Sequence, residues 1–167
     1  MKLNIVKFGD PILQQKAEPV TEFNAELKEL VANMFETMYE APGVGLAAPQ
    51  VGVSKRLFVM DCSKDRSRQF VFINPEILSN EGKQKGDEGC LSFPGIYFAV
   101  ERPVRVVVSA QDVDGKKFTV DLMELEARCA VHETDHLDGE LFINRVGPLK
   151  RDIIKGRIKK MMKAGKW

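Results

Sequence analysis

The sequence has no apolar run near the roughly 20 residues that a membrane-spanning helix needs. It has only three cysteines in 167 residues, and an odd, small number argues against a disulfide framework and favours a reducing compartment. The first residues show neither the apolar segment of a secretory signal nor an Arg- and Ser-rich transit pattern. We therefore expect a cytoplasmic protein with no membrane partner, in which a cysteine is better interpreted as a ligand or nucleophile.

Net charge is also small, at +1, which excludes a polyelectrolyte. The basic residues are nevertheless concentrated at the C-terminus, where Lys150–Trp167 contains eight Lys or Arg and one Asp, a net charge of +7. The length fits one domain, and no repeat or Pro/Gly/Ser linker divides the chain. We expect a single catalytic domain over residues 1–167, with 148–167 forming a basic C-terminal helix.

The periodicity of apolar residues, together with residues that cap or end helices, predicts four helical segments. Apolar residues between Leu27 and Tyr39 recur at helical spacing after a capping Asn24. A short helix is expected over Pro11–Lys16, and another begins at Asp121 in a pattern like a capping box with Glu124. The last is expected to bury one apolar stripe formed by Leu149, Ile153, Ile154, Ile158, Met161 and Met162.

Strands are expected where short β-prone runs lie between turn residues. The candidates are residues 56–60, 69–73, 105–110 and 117–120, the last two joined by a hairpin turn at Asp112–Gly115. The order lacks the alternation of a parallel doubly wound sheet. It predicts an α+β fold, with antiparallel strands packed around a buried central helix and a further helix at the C-terminus.

The central helix contains the chain's only two histidines, in His132-Glu133-Thr134-Asp135-His136. Side chains four residues apart lie one above the other on a helix, so both imidazoles can reach one metal ion. The intervening Glu133 can act as the general base toward water at that metal. The alternative is a pair of histidines that merely pack or face solvent. The apolar residues before the motif favour a buried helix, in which histidines need partners.

Two imidazoles do not complete such a site, and a third protein ligand is needed. Cys90 lies in a glycine-flanked segment interpreted as a loop, where the backbone can approach a bound group. Its rival is Cys129, which shares the face of the two histidines but would crowd them into one narrow arc. We favour Cys90 as the ligand and interpret Cys129 as part of a pocket wall. Cys62 is better explained as a core or surface residue.

Three motifs now coincide, and together they resemble the signatures of peptide deformylases. They are Gly43-Val44-Gly45-Leu46-Ala47-Ala48-Pro49-Gln50, Glu88-Gly89-Cys90-Leu91-Ser92 and the His132–His136 motif. Every fixed position of the family pattern is matched, in the family's order, and the resemblance covers essentially the whole chain. It implies hydrolysis of the N-formyl group from nascent chains that begin with formylmethionine, which releases formate.

The resemblance also implies roles for individual residues. Gln50, through its side-chain amide, and Leu91, through its backbone N–H, would donate to the formyl oxygen as it gains charge. Without the resemblance, Gln50 would be interpreted as a solvated polar residue. The metal would be Fe(II), with zinc, nickel or cobalt as substitutes. Walls for the methionine side chain are expected from Val44, Gly45, Leu125 and Cys129.

Supporting roles are expected for three charged residues. Asp135 could orient a ligating imidazole, and Arg102 could pair with Glu88 to brace the Cys90 segment; solvated surface charge is the alternative for each. Arg128 replaces the apolar residue common in the family, and its head is expected to reach the pocket rim. The family's Pro-Glu-Gln-Arg after the cysteine motif is also absent, replaced by Phe93–Tyr97.

Two other functions remain open at the sequence level. A zincin-like metallopeptidase would take its third ligand downstream of the motif, where Glu140 is the nearest acid. A ribosome-associated RNA-binding protein with a structural metal would need a fourth protein ligand. The basic C-terminal helix, by resemblance to family members and by attraction to phosphate, predicts ribosome contact for the deformylase as well.

Overall fold

The computed structural model describes all residues from 1 to 167. Three α-helices and seven β-strands form in chain order, with 3-10 helices at residues 11–14, 48–51 and 142–145. The helices are α1 (Ala25–Glu40), α2 (Glu124–Leu137) and α3 (Pro148–Lys163). The strands are β1 (Gly45–Ala47), β2 (Leu57–Met60), β3 (Phe70–Glu81), β4 (Gln84–Cys90), β5 (Phe93–Arg102), β6 (Arg105–Gln111) and β7 (Lys117–Met123).

Two antiparallel sheets enclose the central helix. The larger has the order β1-β2-β3-β6-β7, and the smaller is the β4-β5 hairpin. Helix α2 packs between them, and every residue from 127 to 137 is buried. The predicted α+β fold, with antiparallel strands around a buried central helix and a helix at the C-terminus, is confirmed.

Alternating side chains of the large sheet serve two cores. Phe58 and Phe72 face α2, whereas Leu57 and Val59 face α1 on the other side of the sheet. Strand β2 is consequently buried on both faces, as a strand covered by helices on both sides must be. A third core joins β5 to α3. The larger sheet, against which α2 packs, is therefore held in place by a core on each of its two faces.

Several predicted boundaries are accurate. Asn24 caps α1 by accepting from the Leu27 N–H, and α3 begins at Pro148, as predicted, and ends at Lys163. Gly139 follows α2 with a φ of +74°, as a residue ending a helix in the left-handed region does. The hairpin turn between β6 and β7 also forms as predicted.

Helix α2 begins later than predicted, and the capping box at Asp121 is wrong. Strand β7 continues to Met123, and the Asp121 carboxylate pairs with Arg105 across the sheet. The chain turns into the helix at Glu124, whose φ is +54° and whose N–H donates to the Val104 carbonyl. Tertiary strand pairing therefore outweighs the local helix signal.

The smaller sheet was not predicted at all, and the interpretation of Cys90 as a loop residue is wrong. Strand β4 is polar and contains Gly86 and Gly89, so its sequence lacks strand propensity. It forms because it pairs along its length with β5. Cys90 is the last residue of β4, so the hairpin fixes where it stands.

Two further predictions need correction. The segment Pro11–Gln14 forms one 3-10 turn rather than a longer helix, although Asp10 caps it. The apolar stripe of α3 is only partly buried: Ile154 and Ile158 enter the core, while Leu149, Ile153 and Met162 are exposed. None of the helices combines the length and the apolar character that crossing a bilayer requires.

Candidate metal centre and active site

One thiol and two imidazoles converge beside the C-terminal half of α2. The donor atoms of Cys90, His132 and His136 all lie within 4.8 Å of one another. Cys90 Sγ is 3.3 Å from His136 Nε2, and the two imidazole centroids are 5.1 Å apart. The helix repeat aligns the histidines, and the end of β4 delivers the cysteine. A thiolate with two imidazoles is a donor set suited to a borderline divalent ion.

Cys129 stands outside this group, as the sequence interpretation favoured. Its Sγ lies 3.7 Å from the Val44 carbonyl oxygen. A hydrogen bond with Cys62 and burial raise the pKa of the Cys129 thiol well above its usual value. Cys129 is therefore a neutral pocket-wall thiol, and Cys62 is its half-buried neighbour rather than an isolated surface residue.

Glu88 orients His132. Its Oε1 lies 2.5 Å from His132 Nδ1, which leaves Nε2 as the ring nitrogen available to a ligand. Burial raises the pKa of Glu88, but hydrogen bonds with His132 and Arg102 outweigh it and lower the pKa to about 2. Such a carboxylate beside a ligating imidazole fixes the ring's tautomer and direction.

Arg102 braces Glu88, as predicted, and does so without any exposure of its own side chain. Its Nε and Nη2 donate to the Glu88 carboxylate, and its Nη1 donates to Asp135 at 2.9 Å. The predicted orienting role of Asp135 is wrong. Asp135 accepts from Arg102 and Arg145 instead, so it acts on the guanidinium that holds Glu88.

Arg145 is a residue that the sequence interpretation missed. It lies in the 3-10 helix at residues 142–145, ten positions after Asp135, and no helical or strand spacing links the two. Its Nη2 donates to Asp135 at 2.7 Å. The only available signal was that Asp135 would be buried and would need a cationic partner.

The predicted course of Arg128 is also wrong. Its head turns inward rather than to the rim, and only 8% of the residue is exposed. Nη1 donates to Glu88 Oε2 at 2.7 Å and to the carbonyl oxygens of Gly86 and Val100. Burying the guanidinium is possible because Glu88 neutralises it and backbone oxygens satisfy its donors.

Glu133 projects toward the same centre from the helix. Its Oε1 is 3.8 Å from His132 Nε2, and its Oε2 is buried without a hydrogen-bond partner. Burial raises the pKa of Glu133 to about 7, the range in which a carboxylate is most effective as a general base at neutral pH. An unpartnered buried carboxylate oxygen beside a thiol and two imidazoles fits a site built to hold an ion with water.

The two imidazoles differ in charge in the metal-free protein. Burial lowers the pKa of His132, but hydrogen bonds with Cys90 and Glu88 outweigh it and raise the pKa to about 10. Burial lowers the pKa of His136 well below its usual value, and the nearby His132 charge adds to this effect. His136 is thus already neutral, whereas His132 must lose a proton before it can ligate.

Gln50 and Leu91 both lie next to Cys90. Gln50 is only 1% exposed, in contrast to the solvated alternative. Its Oε1 accepts from the Ala47 N–H, and its Nε2 lies 3.2 Å from Ser92 Oγ and 3.6 Å from Cys90 Sγ. Leu91 is in the turn after β4, and its N–H donates no hydrogen bond within the chain.

A cavity of about 300 Å³ opens onto this centre. Val44, Gly45, Leu125 and Cys129 all line it, together with His132 and Glu133. Tyr97, exposed at 71%, forms part of its rim, and its ring lies close against Gly89. The four residues expected as pocket walls are therefore brought together beside the metal donors.

Comparison with known proteins agrees with this geometry. Residues 2–152 match the sequence model of the family described as Polypeptide deformylase. The chain is 56% identical over 165 residues to a peptide deformylase of Acidobacterium capsulatum, with 98% of this chain and 97% of that one covered. A peptide deformylase of Cellvibrio japonicus is 49% identical, with 98% and 97% covered.

Solved structures give the same result for the fold. A crystal structure of a peptide deformylase from Legionella pneumophila superposes with a TM-score of 0.93 at 43% identity, covering 99% of this chain and 98% of that one. A peptide deformylase from Plasmodium falciparum gives a TM-score of 0.89 at 40% identity, covering 96% of each chain. Sequence and structure comparisons therefore point to one family over nearly the full length.

Proposed function

The chain belongs to the polypeptide deformylase family, and we propose that Cys90, His132 and His136 hold the ion with which it works. It is a metallohydrolase that removes the formyl group from the N-terminal methionine of nascent proteins. The observation that carries the site assignment is the convergence of the three donor atoms within 4.8 Å, beside the unpartnered Oε2 of Glu133.

The proposed ion is Fe(II), with zinc, nickel or cobalt as substitutes. A mixed thiolate and imidazole set accommodates all of these borderline divalent metals, and the preference for iron rests on resemblance to the family. When bound, such an ion supplies Lewis acidity, which brings deprotonation of water toward neutral pH. Anaerobic purification followed by metal analysis tests the identity of the ion, and iron in less than a stoichiometric share would contradict it.

Glu133 is the proposed general base. Its carboxylate accepts a proton from the attacking water and then transfers it to the leaving amine nitrogen. The C–N bond of the formamide breaks, water supplies the new oxygen of formate, and the peptide is left with a free amino terminus. Burial raises the pKa of Glu133, which favours a group that first accepts a proton and then donates it.

Gln50 and Leu91 are the proposed donors to the formyl oxygen. The side-chain amide of Gln50 is anchored through Oε1 to the Ala47 N–H, so its Nε2 is held in one direction. The Leu91 N–H, without an acceptor in the chain, is the second donor. Prepositioned donors of this kind stabilise developing negative charge, and loss of one typically costs about 10²–10³ in rate.

The cavity is the proposed subsite for the first side chain of the substrate, with Val44, Gly45, Leu125 and Cys129 as walls. Strand β1 lies at the edge of its sheet. An extended peptide can therefore add beside it through main-chain hydrogen bonds, which tolerate any sequence beyond the first residue. A protein that processes nascent chains in general needs such tolerance.

Formate release from a formyl-Met peptide under anaerobic conditions tests the assignment of the base. We expect Glu133→Gln to retain stoichiometric metal and to lose about 10²–10⁴ in kcat. Glu126→Gln is the matched control, because Glu126 lies on the same helix and pairs with the half-exposed Arg68. Full activity in Glu133→Gln would exclude the proposed role.

The metallopeptidase alternative predicts a different third ligand. Glu140 accepts a hydrogen bond from Asn144 and lies outside the donor group. We expect Glu140→Gln to keep its metal and Cys90→Ala to lose it. An internally cleavable peptide without a formyl group should remain intact. Metal loss in Glu140→Gln together with cleavage of that peptide would support the peptidase.

We also propose that the protein acts in the cytoplasm and contacts the ribosome through α3. Truncation is a poor test, because Ile154 and Ile158 are buried in the core. Reversing the exposed charges of Lys155, Lys159 and Lys163 to Glu avoids that problem. We expect salt-sensitive co-sedimentation with ribosomes to fall while hydrolysis of a free formyl-peptide stays at the parent level; unchanged co-sedimentation would count against the proposal.

A further inference from the structure

The cavity beside the metal donors contains an unusual polar group. Arg128 lines it between two apolar walls, one residue from Cys129 and three from Leu125. A guanidinium carries five N–H donors, and Nη1 already donates to Glu88, Gly86 and Val100. The side chain is therefore held in place by one end only.

The other donors of Arg128 are open. Nε and Nη2 donate no hydrogen bond within the chain. Glu133 Oε2 and His136 Nδ1 are the buried side-chain atoms without a partner, so the two Arg128 nitrogens are not sealed from solvent. Arg128 lines the cavity, and on the side of β4 and β5 its guanidinium meets Glu88 and the carbonyl oxygens of Gly86 and Val100. The cavity is therefore the side from which a ligand can approach the two remaining nitrogens.

The surrounding charges select what these donors can bind. Glu88 Oε2 lies 2.7 Å from Arg128 Nη1, and Asp87 and Glu133 also line the cavity. A carboxylate in the cavity would be repelled by these acids, whereas a neutral acceptor oxygen would not. The thioether of methionine is only a weak acceptor. Oxidation of methionine to its sulfoxide adds a strong neutral acceptor at the same position along the side chain.

We propose that Arg128 makes this cavity a subsite for a neutral hydrogen-bond acceptor, so that the protein also deformylates peptides that begin with N-formyl-methionine sulfoxide. The inference rests on the proposed assignment of the cavity to the first side chain. The reaction is unchanged: water adds to the formyl carbon, the C–N bond breaks, and formate leaves. Only the group that fills the cavity differs, and no oxidant or reductant takes part.

Three formyl-tripeptides that differ only in the first side chain test the proposal: methionine, norleucine and methionine sulfoxide. Norleucine replaces the sulfur with a methylene and carries no acceptor. In the metal-loaded parent we expect kcat/KM for the sulfoxide to lie within about tenfold of that for norleucine. The reason is that a hydrogen bond to the charged guanidinium offsets the cost of removing the sulfoxide oxygen from water. A parent that hydrolyses the methionine and norleucine peptides but not the sulfoxide overturns the inference and leaves the deformylase assignment intact.

Two variants assign the effect to Arg128. Arg128→Leu removes the donors, and we expect the sulfoxide-to-norleucine ratio of kcat/KM to fall at least about tenfold. Gly86→Ala leaves Arg128 and its three hydrogen bonds in place. It adds a methyl group 3.4 Å from Nη2, and we expect the ratio to fall at least about threefold, since covering one nitrogen removes part of that hydrogen bonding.

The ratio separates recognition from general damage, because the norleucine peptide uses the same metal and base. Gly156→Ala, at a helix position with nothing within 4 Å, is the matched control and should leave the ratio unchanged. An unchanged ratio in a folded Arg128→Leu protein overturns the proposal. Where that variant does not fold, an unchanged ratio in Gly86→Ala overturns it.

Discussion

Glu88 Oε1 lies 2.5 Å from His132 Nδ1 in a site where the same carboxylate accepts from Arg102 and Arg128. One buried carboxylate thus contacts one imidazole and two guanidinium groups. Asp135 and Arg145 extend the network to the surface. The direction of the His132 ring, a proposed metal ligand, therefore depends on the charge of Glu88, which is not itself a proposed ligand.

Replacing Glu88 with Gln is expected to weaken both the metal site and the fold. The amide keeps the shape but removes the negative charge that the two guanidinium groups share, and breaking a buried ion pair from one side costs about 3–5 kcal/mol. Loss of an orienting partner typically costs about 10–100-fold in metal affinity. Urea unfolding and competition with a chelator measure the two effects.

Asp121→Asn is the matched control for that exchange. Asp121 is also paired with an arginine, Arg105, but the pair is exposed, and exposed pairs contribute little. Its unfolding free energy and metal affinity should stay close to those of the parent. Equal losses at positions 88 and 121 would contradict the role assigned to Glu88.

Metal affinity should rise steeply with pH. In the metal-free protein His132 has a pKa of about 10, so between pH 7 and 9 it carries a proton that the ion must displace. Release of at least this one proton makes the apparent dissociation constant fall by at least about tenfold per pH unit over that range. A Zn²⁺ titration against a chromophoric chelator at pH 7, 8 and 9 measures the slope; a flat profile would show that no ligand gives up a proton.

Local signals in the sequence predicted α1 and α3 and singled out the candidate metal donors, although the start of α2 was predicted wrongly. Asn24 and the apolar period predicted α1 because capping and amphipathicity act within a few residues. The spacing of His132 and His136 placed both imidazoles on one face for the same reason. The choice of Cys90 over Cys129 followed from how many side chains fit along one arc of a helix.

The features that could not be predicted from the sequence depend on residues that are far away along the chain. Strand β4 forms because β5 pairs with it, although residues 84–90 have little strand propensity. Arg128 turns inward because Glu88 and two backbone carbonyls, about 30–40 residues away, accept from it. Arg145 meets Asp135 through a 3-10 turn whose position no periodicity encodes. Each depends on tertiary contacts, which no local signal in the sequence encodes.

Gly45 is expected to tolerate no side chain, because the side chains of Cys129 and Glu133 lie directly beside it. A Cβ there would meet Cys129 Sγ at 2.6 Å and Glu133 Oε1 at 3.1 Å. Gly45→Ala should therefore displace the proposed base, and we expect kcat to fall at least about 10²-fold while metal content stays at the parent level. Steady-state formate release and metal analysis on the same preparation measure both.

Gly156→Ala is the control for the exchange itself. Gly156 lies inside α3 with open space around it, and Ala in a helix interior is favoured over Gly by about 0.5–1 kcal/mol. We expect that variant to be slightly more stable than the parent and equally active. Parent-level kcat in Gly45→Ala would mean that Glu133 does not depend on the close approach of β1.

Burial of Glu133 should cost the metal-free protein stability in a defined pH window. The folded pKa is about 7, against 4.5 for the ordinary side chain, so the folded state holds the proton more tightly than the unfolded state. The penalty is therefore absent below about pH 4.5, grows as pH rises, and is complete above pH 7, where it reaches about 3 kcal/mol. Glu133→Gln is neutral throughout and does not carry this penalty.

Urea unfolding of both metal-free proteins measures the difference. Between pH 4.5 and pH 8, the free energy of unfolding of the variant should rise by about 3 kcal/mol relative to that of the parent. A difference that is constant across that range would show that the carboxylate is not held in a desolvated site.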